Sequence, residues 1–449
     1  MSAIDFLLAR WRGKEYQEAI IWHQHTYSYR WLSSRVSHWR NFLETESVQP
    51  GTVVLLQADF SPNAIAMLLA LIASRCIIVL MTKWAPHERK ELIEIAQPEV
   101  VFSISEQDCL SSARMSGCKS HELYEALRRA DHPGLVLFSS GSTGRSKGVV
   151  HDFVPLLEKF LPTRKTLRTV SFLLFDHIGG LNTLFYTLSN CGCLIIPQER
   201  TPDSVLEGVE KFRPELLPVS PTFLNLILMS RAHERYDLSS LQTISYGTEP
   251  MSGFILRKFN ELFPRIRFVQ LYGLSEVGIL HSKSKESDST WVRLAPDETR
   301  VTDGTLQIKT KTAMIGYLNA PSPFTPDGWL MTGDAVEVDG EFLKILGRKS
   351  ELINVGGKKV YPTEVESVVQ EMDEVAEVSV YGEKSAIMGN IVCARVRLKQ
   401  GAESDGFASR LRQFCRHKLQ EFKVPVRVAL VDSALHTQRF KKERQPEAH

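Results

Sequence analysis

The apolar run GLVLF (Gly134–Phe138) passes directly into SSGSTGRSKG, and the chain turns apolar again at Val149. That junction constrains the fold more than any other stretch. So short an apolar run, closed by turn-forming residues, is the pattern of a buried strand. The loop must then stand at the strand's end, open to a ligand or to solvent. Its glycines let backbone N–H groups turn inward as a nest, its hydroxyls add donors, and Lys147 adds positive charge, which suits a phosphate. The spacing is not that of a P-loop, because Gly148 follows the lysine instead of preceding it. A plain surface turn is the other reading of such a composition.

The first 130 residues alternate helical patterns with short buried strands such as GTVVLLQ and CIIVLM, which predicts layered α/β structure. The apolar stretch AIAMLLALIASRCIIVLM (Ala64–Met81) is interrupted by Arg75, a charge that a membrane span tolerates poorly at its centre. A helix followed by a strand is the expected form. From about Ser282 the sequence becomes polar and turn-rich. After GRKSELINVGGKKVYP it turns basic, with one helical pattern, TEVESVVQEM, and two strand patterns, AEVSVYG and NIVCARVRL. The expected division is a large α/β domain over residues 1–348 and a small α+β domain over 349–449, within the range of domain number for 449 residues. A net charge of +2 offers no basic face for nucleic acid. Seven cysteines without framework spacing, and a beginning without an apolar core before a cleavage site, point to a reducing, cytoplasmic setting.

SSGSTGRSKGVV resembles the TSGSTGxPKGV loop of the adenylate-forming superfamily, which includes acyl-CoA synthetases, peptide-synthetase adenylation domains and luciferases. Further fragments resemble that family's motifs in the same order. SYGTEPM is similar to its GGxPL turn, VQLYGLSEVG to YGxTE with Ser275 for threonine, and GWLMTGD to xTGD. GRKSELINVGGKKVYPTEVE is similar to GRxxDxIxxxGxxVxPxEIE, and LHTQRFKKER to the terminal LPxTxxGKxxR. The resemblance implies a large layered α/β N-terminal domain with a small mobile α+β C-terminal domain, and chemistry that joins ATP to a carboxylic acid.

By that resemblance Ser140, Gly141, Ser142, Thr143, Gly144 and Lys147 wrap the outer phosphates of ATP. Gly247, Thr248 and Glu249 border the adenine, and Tyr272, with Gly273 and Leu274, stacks on it. Ser275 contacts the α-phosphate, and Glu276 holds Mg²⁺ as a hard oxygen ligand. Asp334 accepts from the ribose hydroxyls, with Arg348 as a second contact. Lys441 bridges the carboxylate and the phosphate in the first half-reaction, a point-charge role that suits an ammonium. The small domain then swings about a hinge at Ser350, and Gly356 and Gly357 let the backbone approach a pantetheine arm. Departures from the family are Ser350, where Asp or Lys is usual, and Phe440, where the family has glycine before the lysine.

The segment LLFDHIGGLNTLF resembles the HxxGL of acyl- and aryl-CoA ligases, so His177, Gly179, Gly180 and Gly247 would line the acid pocket. Aligning Phe175-Asp176 instead with the amine-holding segment of amino-acid-activating domains makes the distance onward to Gly192 about three residues too long. A non-amino acid is therefore expected. The acceptor is left open between CoA, the phosphopantetheine of a carrier protein, and an amine. Two readings from other classes are a non-catalytic nucleotide- or acyl-binding protein on the same fold and a hydrolase using Ser275. The elbow pattern of hydrolases is broken by Val277. Cys191-Gly-Cys193 has no second pair to complete a metal site, and core residues at the head of a strand are the better reading.

Overall fold

The computed structural model describes residues 2–140, 145–295, 298–385 and 388–444. Two seven-stranded sheets form its large part. The first runs Arg267–Gln270, Thr243–Tyr246, Leu216–Val219, Arg168–Val170, Cys193–Ile195, Glu18–Trp22 and His25–Ser28, parallel except for the last pair. The second runs Gly316–Tyr317, Ser146–Asp152, Gly134–Ser140, Ile77–Met81, Val53–Gln57, Val100–Ile104 and Leu110–Arg114, with a parallel centre and antiparallel edges.

One hydrophobic core joins the two sheets through the helices Tyr29–Thr45, Pro62–Ala73 and Ile178–Ser189. The middle helix is buried at every position but Asn63, as an all-apolar helix must be. The Ser61 side chain caps it by accepting from the Ala64 N–H at 3.2 Å. The helix stops at Ala73, and the chain turns through Arg75 at φ 58° into the strand Ile77–Met81. The long apolar stretch is thus a core helix and a core strand, with Arg75 paired to Asp131 at the surface. No described helix is long and apolar enough to cross a membrane.

A six-stranded antiparallel sheet follows, in the order Ser282–Ser284, Trp291–Leu294, Phe342–Arg348, Leu330–Asp339, Thr305–Ile308 and Thr299–Thr302. The final sheet belongs to a small α+β part. It contains Lys358–Val360, Ile353–Val355, Gly389–Leu398 and Val375–Ser385, with Arg427–Leu430 added to Gly389–Leu398. Helices Pro362–Val369 and Phe407–Arg416 cover it and supply residues to a separate core. The small part meets the large one where Asn225 donates to the Ala376 carbonyl at 3.2 Å, and where Ser252 and Ser367 share a hydrogen bond at 3.2 Å.

The parallel strands of the first sheet all point the same way. The segments that follow them, around His177, Gly247 and Tyr272, therefore gather at one edge. The carboxyl ends of parallel strands are where α/β folds bind ligands.

Candidate active site

The strands Gly134–Ser140 and Ser146–Asp152 form a hairpin in which Ser139 pairs with Lys147 and Ser140 with Ser146. The loop residues expected to wrap phosphate, Gly141, Ser142, Thr143 and Gly144, lie outside the described residues, and Ser140 closes the first strand. Asn319 ties down the returning arm: its side chain accepts from the Gly148 N–H at 3.0 Å and donates to the Ser146 carbonyl at 2.8 Å. The Lys147 ammonium lies 5.2 Å from the centre of the Tyr317 ring. Among the described residues no carboxylate pairs with it, which leaves its charge for an anion.

Tyr317 was not anticipated from the sequence. Its hydroxyl donates to Oε1 of Glu276 at 2.8 Å. Burial and the Glu276 charge raise the phenol well above its ordinary range, so it stays a donor. The run GYLN, paired in register with the strand of Lys147, is the signal that could have found both Tyr317 and Asn319.

The segment after Arg267–Gln270 is equally constrained. Gly273 pairs with Ile279 across a tight hairpin, and a Cβ there would lie 2.6 Å from the Gly278 carbonyl oxygen. His151, wholly buried, donates from Nε2 to the carbonyl of Ser275 at 2.5 Å. Burial lowers its pKa, so the ring is neutral and the donor is fixed. The Met314 N–H donates to the Glu276 carbonyl at 2.7 Å, and the Thr312 hydroxyl to that of Val277 at 2.6 Å. His151, Thr312 and Met314 are therefore further supports for Ser275 and Glu276 that no local pattern marked.

Tyr272, Asp334 and Arg348 form a second cluster. Asp334 and Arg348 are cross-strand partners. Arg348 approaches Asp334 to 3.0 Å and donates to the Thr332 carbonyl at 2.6 Å, while the Tyr272 hydroxyl donates to Asp334 at 2.5 Å. Burial raises the Asp334 pKa, and Arg348 opposes that shift.

The chain's last described residues reach into this edge from the small part. Burial lowers the Lys441 pKa; Glu249 and Glu276 favour its charge, while Arg439 and Arg348 disfavour it. The charges around the cleft thus bear on Lys441, whose neighbours make direct contacts: the Arg439 guanidinium with Asp176 and the Lys442 N–H with Glu249. His177 senses such charges too: burial, Lys441 and Arg439 hold the imidazole pKa down at about 3. His177 caps the helix Ile178–Ser189 by accepting from the Gly179 N–H on Nδ1 at 3.0 Å, so the neutral ring keeps its proton on Nε2.

Other expected site residues have structural work of their own. A Cβ on Gly180 would sit 2.1 Å from the Leu174 carbonyl oxygen, one on Gly179 2.7 Å from a Leu173 methyl, and one on Gly247 2.7 Å from the Leu271 carbonyl oxygen. Thr248 holds φ at 76°. The carboxylate of Glu249 accepts from the Thr222 N–H at 2.7 Å and from the Lys442 N–H at 3.0 Å, joining the large part to the tail. Gly356 and Gly357 lie on the small part, at an exposed two-residue hairpin turn with φ of 56° and 82°. Both central residues of such a turn need positive φ, which glycine supplies without strain. Ser350 lies in the short exposed turn Lys349–Glu351 between the third sheet and the last.

Among the described residues no cluster of three or more His, Cys, Asp or Glu side chains could hold a metal by itself. A single carboxylate such as Glu276 fits Mg²⁺, which keeps most of its shell for water and substrate phosphates.

The model of the AMP-binding enzyme family matches residues 8–309, and that of the family's C-terminal domain matches residues 364–441. A long-chain-fatty-acid–CoA ligase of Bacillus subtilis is 27% identical over 421 residues, covering 85% of this chain and 74% of the relative. An indoleacetate–CoA ligase of Aromatoleum aromaticum is 26% identical over 68% of this chain and 64% of its own length. Among solved structures, the anthranilate CoA ligase AuaEII in complex with anthranoyl-AMP superposes with a TM-score of 0.84 at 19% identity, covering 99% of this chain and 96% of that one. ATP-bound MatB from Rhodopseudomonas palustris superposes with a TM-score of 0.80 at 24% identity, covering 98% and 97%. With both of its parts matched in order, the chain belongs to the AMP-binding enzyme family, that of the adenylate-forming enzymes.

Proposed function

We propose that the protein activates a carboxylic acid as its acyl-AMP, releasing pyrophosphate from ATP, and then passes the acyl group to the thiol of CoA. One observation supports this reading: the tail that bears Lys441 is bonded to the large part on both sides of it, by the Arg439 guanidinium to Asp176 beside His177 and by the Lys442 N–H to Glu249.

In the first step a carboxylate oxygen forms a bond to the α-phosphorus while the bond from that phosphorus to pyrophosphate breaks. Such a transfer needs alignment and charge neutralisation more than covalent help. Lys147 and the loop beside it would receive the departing pyrophosphate, and Ser275 would contact the α-phosphate. Tyr272, Asp334 and Arg348 would hold the nucleoside. Lys441 would bridge the two reacting anions. Glu276 would hold Mg²⁺, which when bound neutralises phosphate charge. In the second step the thiol sulfur bonds to the acyl carbon, the acyl–AMP oxygen bond breaks, and the thiol proton is lost. The small part would turn about Ser350 between steps, presenting the Gly356-Gly357 turn to the pantetheine arm.

A hydrophobic or aromatic acid without an α-amino group suits this site best. The relatives act on fatty and indoleacetic acids. Asp176, the residue that would have to hold a substrate amine, already has its charge paired with the Arg439 guanidinium through Oδ2, while its buried Oδ1 has no partner among the described residues. All seven cysteines are free thiols, which fits the reducing cytoplasm.

Acid-dependent exchange of labelled pyrophosphate into ATP is the test. A panel of aliphatic and aromatic acids should show exchange, and Lys441→Ala should lose it while still converting supplied acyl-AMP and CoA to thioester. No exchange with any acid would favour a non-catalytic binder. Thioester breakdown without ATP use would favour the hydrolase. Carrier protein and amines, offered in place of CoA, would decide the acceptor.

A further inference from the structure

On either side of Lys441 the tail residues Arg439, Phe440 and Lys442 contact the large part, and one of them makes a contact that the chemistry above does not call for. The Arg439 guanidinium donates to Oδ2 of Asp176 at 2.6 Å and lies 4.3 Å from the centre of the Trp84 ring. Asp176 is only 4% exposed. It precedes His177 directly, and among the described residues Arg439 is its single ion-pair partner. Its other donors are neutral: the N–H and hydroxyl of Thr82 at 3.1 and 2.9 Å, and the Trp84 indole N–H at 3.1 Å. Phe440 comes next, held at φ 54°, with its ring centre 5.0 Å from that of Phe172 and 5.5 Å from that of Phe223. The Lys442 N–H then reaches Glu249. Lys441 stands between these anchors.

A lysine side chain is long and flexible, and nothing in its own structure aims it. A guanidinium can pair with a carboxylate and stack on an aromatic face together. We infer that Asp176, Trp84 and Arg439 are positioning residues for Lys441: they hold the tail against the acid site while the acyl-AMP forms and must let go before the thiol step. The inference rests on the ligase reading above. It adds a consequence. Withdrawing the tail leaves a buried carboxylate without its cation, which is unfavourable, so the docked arrangement is preferred and the thiol step waits on release.

The test uses the full chain with Arg439→Ala, Arg439→Lys, Asp176→Asn and the double variant R439A/D176N. Two readouts are needed: acid-dependent pyrophosphate exchange, and amide hydrogen exchange of residues 435–444 in the free protein. Arg439→Ala and Asp176→Asn should each lower pyrophosphate exchange about tenfold or more and deprotect the tail. The double variant should be no worse than either alone. Arg439→Lys, which keeps the charge but not the stacking plane, should recover part of both. All variants should turn supplied acyl-AMP and CoA into thioester at least as fast as the parent. Asp176 is buried, so loss of fold would also lower exchange in its variant, whereas Arg439 lies in the tail outside the large core, so Arg439→Ala decides. Pyrophosphate exchange within twofold of the parent with unchanged tail protection would overturn the inference. So would an equal loss of both half-reactions. If the parent shows no acid-dependent exchange, it is the ligase reading that fails, and hydrogen exchange of the tail still decides the pairing.

Discussion

Glu276 is a good example of how much surrounding structure one exposed-looking motif residue needs. Tyr317 fixes one carboxylate oxygen, Met314 fixes the residue's own carbonyl, and His151 and Thr312 fix the carbonyls on either side. A carboxylate that must meet phosphate-bound charge at a set place cannot be left to sample rotamers, since misplacement of catalytic groups is costly. Tyr317→Phe removes one hydrogen bond and keeps the ring under Lys147. A hydrogen bond to a charged acceptor contributes about 1.5–3 kcal/mol where both groups are shielded, and less here because the pair is partly exposed. Urea unfolding should therefore register a loss of about 1 kcal/mol. Pyrophosphate exchange should fall about tenfold, the equivalent of about 1.4 kcal/mol in the barrier. An exchange rate equal to the parent's would show that Glu276 does not depend on the tyrosine.

The helix Ile178–Ser189 shows the same economy at the level of an element. It begins with His177 as its cap and carries Gly179 and Gly180 in its first turn, and the two glycines serve different needs. Alanine would ordinarily favour a helix over glycine by about 1 kcal/mol. At 180, however, a Cβ would meet a backbone carbonyl oxygen at 2.1 Å, while at 179 the nearest atom is the tip of a leucine side chain. Gly180→Ala should therefore cost about 3 kcal/mol or more in stability through forced backbone movement, and Gly179→Ala distinctly less. Thermal unfolding of both variants checks this. If both melt like the parent and only the KM for the acid changes, the glycines serve the ligand rather than the packing. Local pattern made much of this level legible. The strands expected at GTVVLLQ, CIIVLM and GLVLF, and the helix expected within Ala64–Met81, are all present, because burial imposes its period directly on neighbouring residues. The contacts that support the site were not legible. Asp176 and Arg439 are 263 residues apart and Tyr317 and Glu276 are 41 apart, and a single sequence carries no record of which distant side chains the sheets bring together. Glu249 shows the same limit: its place in a turn motif gave no sign of Thr222 and Lys442, whose N–H groups its carboxylate accepts from.

Across the whole molecule, the tail that delivers Lys441 is fastened to the small part by two buried carboxylates. Glu366 is 1% exposed and bonds Lys442 at 3.0 Å and Arg444 at 3.1 Å. Glu377 is 5% exposed and receives the Leu435 N–H at 2.9 Å and His436 at 2.6 Å. For both, burial alone would raise the pKa, but the partners win and hold it down at about 2, against 4.5 for a free glutamate. A carboxylate with a depressed pKa stabilises the fold above the unfolded value, and that contribution is lost as pH falls through the folded one. Each of the two therefore contributes on the order of 3 kcal/mol above pH 4.5 that vanishes toward pH 2. His177 acts in the same direction over a higher window: its folded pKa of about 3 lies below the ordinary 6.5, so the unfolded chain takes up a proton first and stability declines from pH 6.5 downward. Beyond these anchors the tail is held by its Arg439, Phe440 and Lys442 contacts with the large part, by donors from Ser379 and Arg395 to the Glu443 carbonyl and by the Arg444–Glu351 ion pair. These are mostly polar links, whereas the large part has a continuous core. Acid should therefore free residues 435–444 before the sheets unfold. Hydrogen exchange between pH 5 and pH 3 should show tail amides losing protection while the strands Val53–Gln57 and Ile77–Met81 keep theirs. Glu366→Gln should free the tail already at neutral pH and flatten its acid dependence. Simultaneous loss of protection in tail and strands, in the parent protein, would mean that the lysine-bearing segment is part of the global fold rather than a separately fastened arm.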